Sequence, residues 1–244
     1  MRRSILTDPK TLASMTVRAL LWYTPLRRLA FYRYWYNFTP EQLGFLVSCI
    51  NQTREVPGDI FEVGCANGHT ACFLNQHLQA AGIAKDYYCV DTFDGFTKQD
   101  TTYEVTVRGK HPRHLGGFRS NSVKWFKYTL KVNSCKRVHC VQADVQHYDF
   151  ARPISFCMLD VKLYRPTRIA LEKVWPVLSP GGMIVVGECK PGTSFDGAMQ
   201  ACEEFTKSQE IRPRYVLGNL GVLEKPDPRA KAASIAERFF VHAN

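Results

Sequence analysis

The sequence is short of acidic residues and of uninterrupted apolar stretches. Asp and Glu number 22 against 32 Lys and Arg, a formal net charge of +10, which points to nucleic acid, an acidic membrane surface or an anionic substrate as partner classes and says nothing about fold. No apolar run approaches the roughly 18–20 residues of a membrane helix. Met1-Arg2-Arg3 leads into Thr7, Asp8 and Lys10 instead of an apolar h-region, so neither a span nor a signal peptide is expected. The nine cysteines form no CxxC pair and several lie in strand-like runs such as YYCVD and SFCMLD. They read as reduced core residues of a cytosolic protein. No repeat or low-complexity block is present. GxGxxG is missing too: its three positions hold Gly64, Ala66 and His69, so the last small residue that lets helix and strand pack is absent and a dinucleotide is disfavoured.

What is present is a chain of 244 residues, 45% hydrophobic and 22% charged, enough for one sizeable core and one α/β domain with a short appendage. IFEVGCANG, residues 60–68, is an apolar run that ends in a turn bounded by Gly64 and Gly68. Ala71, Phe73, Leu74 and Leu78 then follow at helical spacing. Strand, loop and helix in this order place the turn at the carboxyl end of a strand, where helix N-terminal N–H groups point outward and ligands bind. VPGD at 56–59 leads into this strand, and YYCVDTFDGF, 87–96, is a second strand with its loop. Asp91, 23 residues after Gly68, stands where a carboxylate can accept both hydroxyls of a ribose.

Thr39-Pro40-Glu41-Gln42 is a helix start, with an N-cap, a first-turn proline and a capping-box glutamine, and the helix should run to about Gln52. Further helices are expected at 122–133 and 194–211, strands at 136–145 and from Ile154, and a hairpin at 214–225 around Gly218-Asn219-Leu220-Gly221. Residues 97–121 lack a clear period and read as a mobile lid. There His111 and His114 are candidate general bases, and Arg108, Lys110, Arg113 and Arg119 could meet an anionic substrate. Residues 1–38 hold seven Arg or Lys against one Asp, interleaved with aromatics. Short helices broken at Pro25 are expected there. A cap docked on the main domain or on a second subunit is favoured over an interfacial membrane helix. The expected division is thus 1–38, a main domain at 39–225, and a tail at 226–244.

Three stretches carry a family resemblance. Glu62 to Gly68, ExGxxxG, resembles the first motif of class I S-adenosylmethionine methyltransferases. VDTFDGF resembles the DTFEGxP stretch of the macrocin O-methyltransferase family, and ISFCMLDVKLYRPTRIALEKVWPVLSPGGMIVVGE resembles that family's fourth strand, DxDLYxPT helix, LSPGG turn and fifth strand; together they cover about residues 60–211. The resemblance implies a Rossmann-like class I methyltransferase fold: α/β, doubly wound, a mostly parallel seven-stranded sheet with an antiparallel last strand. It implies S-adenosylmethionine as cofactor, held by Glu62, Gly64, Cys65, Ala66 and Gly68 around the methionine part, by Asp91 at the ribose, by Thr92 next to it in sequence, and by Asp144 near the adenine. It makes Asp160 a metal ligand and base beside the substrate hydroxyl, with Glu188 a second ligand for Mg²⁺. Two positions depart: Lys162 stands for the second aspartate of DxDLY, and Gly187-Glu188 for an Asp-Asp pair. An inward Lys162 would oppose a cation; an outward one would be irrelevant.

The implied function is O-methylation of a sugar hydroxyl or another small hydroxylated metabolite in natural-product or glycan biosynthesis. Nucleic acid is disfavoured, although Asp160, Lys190 and Glu224 loosely resemble part of the K-D-K-E set of RNA ribose 2′-O-methyltransferases. A non-catalytic member of the fold, bound to a partner or membrane through residues 1–38, is the other alternative.

Overall fold

The computed structural model describes residues 9–25, 36–116, 118 and 121–228. The chain divides into two units, Met1–Tyr36 and Asn37–Asn244. In the first, helix α1 (Pro9–Trp22) exposes Leu12, Met15, Val17, Leu20 and Trp22. The basic residues Arg27, Arg28 and Arg33 lie outside the described residues, as do Arg119 and most of the expected tail. No helix among the described residues is long and apolar enough to cross a membrane.

The second unit opens on α2 (Pro40–Gln52). Thr39 accepts from the Gln42 N–H at 3.2 Å while the Gln42 side chain takes the Thr39 N–H at 2.9 Å, the reciprocal cap expected from the sequence. There follow β1 (Asp59–Val63), α3 (His69–Ala80), β2 (Tyr87–Asp91), α4 (Lys98–Thr106), α5 (Val123–Val132) and β3 (Val138–Gln142). After them come β4 (Ile154–Leu159), α6 (Tyr164–Val177), β5 (Leu178–Val186), α7 (Gly197–Ser208), β6 (Arg214–Val216) and β7 (Leu220–Glu224). The strands form one sheet in the order β3-β2-β1-β4-β5-β7-β6. β1 to β5 are parallel, and β7 runs antiparallel between β5 and β6. This is the doubly wound, mostly parallel seven-stranded sheet expected.

Successive strand side chains point to opposite faces, so two cores result. Ile60, Cys89, Phe156, Met158 and Val185 meet Leu43, Leu46, Leu74, Leu78 and Phe126 of α2, α3 and α5 on one face. Phe61, Val63, Val90, Leu159 and Ile184 meet Ala170, Leu171, Val174, Ala198 and Phe205 of α6 and α7 on the other. With both faces covered, β4 is buried at all its positions, and its sequence reads as an apolar run broken at Ser155, whose hydroxyl donates to Asp59 O, instead of an alternation.

The structure differs from expectation at two elements. Residues 97–121 contain α4, capped by Thr97 and carrying two buried carboxylates, Asp100 and Glu104. Glu104 pairs with Arg108 at 2.6 Å and accepts from the Tyr164 N–H at 2.8 Å, so α4 docks on α6 through charge, and the apolar period that signals a helix is lacking. The LSPGG stretch is part of β5. Leu178 pairs with Ile154 and Met183 with Phe156, leaving Ser179–Gly182 as a bulge. That bulge, with Gly181 at φ +82°, is held against the chain after β7, where Gly181 N–H donates to Lys225 O and Lys225 N–H to Gly182 O, both at 2.9 Å.

Candidate active site

The carboxyl ends of β1, β2, β4 and β5 lie side by side and are stitched by backbone bonds. Gly64 N–H donates to Val90 O at 2.9 Å, Asp160 N–H to Val63 O at 2.8 Å, and Gly187 N–H to Leu159 O at 2.8 Å. At Gly64, φ is +86° and a Cβ would stand 2.5 Å from the Asp160 carbonyl oxygen. Only glycine lets the tips of β1 and β4 come this close.

Above these tips opens a cleft of about 720 Å³, a figure that takes in the open solvent at its mouth. Six of the expected residues line it: Gly64, Ala66, Asp91, Thr92, Asp144 and Asp160. The Asp91 carboxylate is held from two sides, with Ala66 N–H donating to Oδ2 at 2.9 Å and Phe93 N–H to Oδ1 at 2.7 Å. Thr92 Oγ1 donates to Gly95 O at 2.8 Å, and Asp144 Oδ1 accepts the Gln146 N–H at 2.9 Å. Asn121 donates to Ala66 O at 2.6 Å and lines the cleft, as do Asn37, Phe96 and Phe118. These four were not among the expected residues; only Phe96, inside the VDTFDGF motif, had a sequence signal.

The remaining expected residues lie elsewhere. Glu62, 2% exposed, lies beneath the loop, where the Tyr87 hydroxyl donates to Oε2 at 2.7 Å. Burial pushes its carboxyl up to about 8, with the Tyr87 bond opposing and the Asp160 and Asp91 charges adding. Cys65 is buried, with its thiol raised by burial and by Cys89, and Gly68 lies at the start of α3 against the Phe126 ring. None of the three lines the cleft, because alternation along β1 and the turn of the loop direct them into the core. His111 and His114 are exposed and lie outside the cleft lining. His111 Nδ1 accepts the Arg113 N–H at 3.2 Å and so caps a short turn of its own. Arg108 and Lys110 are engaged by Asp196 at 2.9 and 2.6 Å instead of facing a substrate.

Lys162 points inward. Its Nζ lies 3.0 Å from Asp160 Oδ1 and 3.2 Å from Glu188 Oε1, and 5.6 Å from the centre of the Phe118 ring. Burial alone would lower this ammonium's pKa, but the two carboxylates outweigh it and hold the group charged, above its usual range. Burial raises the Asp160 carboxyl, Lys162 pulls it back, and Glu188 and Asp91 add to the rise. The expected Mg²⁺ pair therefore does not fit an ion: the place between Asp160 and Glu188 is taken by a cation of the chain. Among the described residues no group of three His, Cys, Asp or Glu could hold a metal. The RNA-type set is not assembled either. Glu224 pairs with Arg214 and stands opposite Met183, three register steps from Val186 at the cleft end of β5, while Lys190 is exposed.

Residues 41–216 match the family model described as macrocin-O-methyltransferase (TylF). The chain belongs to this family. The macrocin O-methyltransferase match takes in strands β1 to β6, stops short of β7, and includes every cleft residue named above except Asn37. A curated relative from Streptomyces olivaceus, 8-demethyl-8-(2,3-dimethoxy-alpha-L-rhamnosyl)-tetracenomycin-C 4′-O-methyltransferase, is 26% identical over 182 residues, 66% of this chain. The chain spans 60% of the length of that relative. Among solved structures, the O-methyltransferase NovP superposes with a TM-score of 0.64 at 15% identity, covering 76% of this chain and 80% of that one. The calicheamicin methyltransferase CalS11 superposes with 0.62 at 18% identity, covering 92% and 97%. At these identities the likeness is one of fold, and it matches the macrocin O-methyltransferase assignment.

Proposed function

We propose that this chain is an S-adenosylmethionine-dependent O-methyltransferase acting on a sugar hydroxyl. The observation that carries the reading is the pinned carboxylate of Asp91. Each of its oxygens gives one lone pair to a backbone N–H and keeps another for a ribose hydroxyl, at the tip of β2 beside the glycine of the β1 loop. A carboxylate oriented before binding is what bidentate ribose recognition requires. Ala66 and Gly64 border the same space, Thr92 flanks the ribose end, and Asp144 stands on the next strand tip, where an adenine would lie. The sugar follows from family membership and from the rhamnosyl group in the name of the Streptomyces relative. The RNA-type set is scattered, so the basic net charge is left as the one feature that pointed to nucleic acid.

Bound in this cleft, the cofactor would supply a sulfonium methyl to the substrate oxygen and would keep the carbon–sulfur electron pair on its sulfur. The chain's own residues hold the oxygen and take its proton. Asp160 is the base. Oδ1 is occupied by Lys162, no donor among the described residues reaches Oδ2, and burial makes the carboxyl a stronger acceptor than a solvated one. Phe96 and Phe118, with ring centres 5.4 Å apart, put apolar surface into the cleft, and Phe195 packs against Phe96 at 6.0 Å. Most of the acceleration would come from positioning in a dry cleft.

The test is calorimetric titration with S-adenosylhomocysteine, followed by methyl transfer to nucleotide-linked and glycoside-linked deoxysugars. Micromolar binding and a methylated sugar are expected. Absence of binding would return the chain to the non-catalytic alternative. Residues 1–38 are proposed as a contact region for a second copy or a membrane surface, from their basic and aromatic composition, and cytoplasmic localisation from the reduced cysteines. Sedimentation of the full chain with anionic vesicles separates these two contacts.

A further inference from the structure

The two departures from the family's acidic motif meet at one atom. Lys162 Nζ donates to Asp160 Oδ1, and a Cβ at Gly187 would lie 2.7 Å from that same oxygen. A side chain at 187 would therefore turn the Asp160 carboxylate away from the ammonium. The absence of an acid at 187 and the presence of a lysine at 162 form a single arrangement: one makes room for the carboxylate position that the other uses.

Backbone geometry supports the same conclusion. Lys162 and Glu188 follow the ends of the adjacent strands β4 and β5, and both are left-handed, with φ of 66° and 58°. Non-glycine residues in this region cost on the order of 1–3 kcal/mol unless the surroundings impose the conformation. Here the conformation turns both side chains toward each other. Lys162 is 8% exposed and lines the cleft. Two of its three N–H groups serve Asp160 and Glu188, and among the described residues the third has no acceptor.

We propose that Lys162 stands in for a divalent cation, as a catalytic residue of a metal-independent methyl transfer. Its ammonium holds Asp160 and Glu188 in place, and its remaining N–H donates a hydrogen bond to the reacting oxygen of the substrate. The substrate O–H bond breaks as its proton passes to Asp160 Oδ2, the freed electron pair forms the bond to the methyl carbon as the carbon–sulfur bond breaks with its pair left on sulfur, and Lys162 stays protonated throughout. A fixed donor aimed at the oxygen is the electrostatic contribution an ion would otherwise make. The proposal rests on the methyl-transfer reading above.

The experiment uses the full chain dialysed against EDTA and titrated calorimetrically with MnCl₂ in the presence of S-adenosylhomocysteine, together with Lys162→Asp and Lys162→Met. The wild type is expected to bind Mn²⁺ no more tightly than about millimolar, and to methylate equally with and without EDTA. Lys162→Asp recreates an acidic cluster and should tighten Mn²⁺ binding by about tenfold or more. Lys162→Met should keep its affinity for S-adenosylhomocysteine while kcat falls on the order of a hundredfold. Micromolar Mn²⁺ binding by the wild type, activity abolished by EDTA, or full kcat in folded Lys162→Met would each overturn the proposal. If Lys162→Asp does not fold, the wild-type titration and the methionine variant decide. Failure of the wild type to bind S-adenosylhomocysteine at all would instead remove the methyl-transfer reading and the proposal with it.

Discussion

Replacing Glu62 by glutamine removes one titration from the core while keeping the shape of the side chain and an acceptor for the Tyr87 hydroxyl. In the wild type, burial raises this carboxyl from 4.5 to about 8. Between those values the folded protein keeps a proton that the unfolded chain gives up. Stability linked to Glu62 is therefore fully present below the unfolded pKa and is lost as pH rises through the folded one. At ~1.36 kcal/mol per unit, the whole window is worth about 5 kcal/mol, and the step from pH 6 to pH 9 about 3 kcal/mol. The assay is urea unfolding of wild type and Glu62→Gln at both pH values, with the four free energies compared. Titrations common to the two proteins cancel in the difference. The wild type should lose about 3 kcal/mol more than the variant over this step. Equal losses would refute the assignment of a proton to Glu62 and, with it, the claim that this acid lies under the loop as a neutral group.

Other expectations follow from the same geometry. Asp91→Ala should weaken S-adenosylhomocysteine binding by about 2–3 kcal/mol, through two lost charge-assisted bonds, in a calorimetric titration. Gly64→Ala, which forces a Cβ against the Asp160 carbonyl at positive φ, should lower stability by about 2 kcal/mol or more in thermal unfolding. Arg108→Met strips Glu104, 1% exposed, of its cation, and should cost about 3–5 kcal/mol by urea denaturation. His111→Ala with His114→Ala should leave kcat within about twofold of wild type, since both rings lie outside the cleft; a large loss would reinstate them as bases.

The parts of this molecule legible in the sequence are those governed by local chemistry. Thr39 and Gln42 announce a helix start because the capping box is completed within four residues, and Gly64 and Asp91 announce the cleft because strand ends and turn residues are read at fixed offsets. α4 was hidden because its buried face is made of Asp100 and Glu104, whose partners Arg108, Tyr164 and Arg165 are supplied partly from another helix. Burial of that kind depends on tertiary pairing, and no periodic pattern encodes it. The direction of Lys162 was undetermined for a similar reason. Strand alternation ends at Leu159, and the left-handed turn that aims the side chain inward is imposed by the packing of two neighbouring strand tips.

A lysine between two carboxylates also differs from a bound ion in its permanence. Ions exchange with their surroundings, and the occupant of a carboxylate site follows the relative abundance and affinity of competing metals. The ammonium of Lys162 is set at translation. Its charge at this point cannot be leached, swapped for a tighter-binding metal or left unfilled when supply is short, so mismetallation and starvation have no counterpart at this pair.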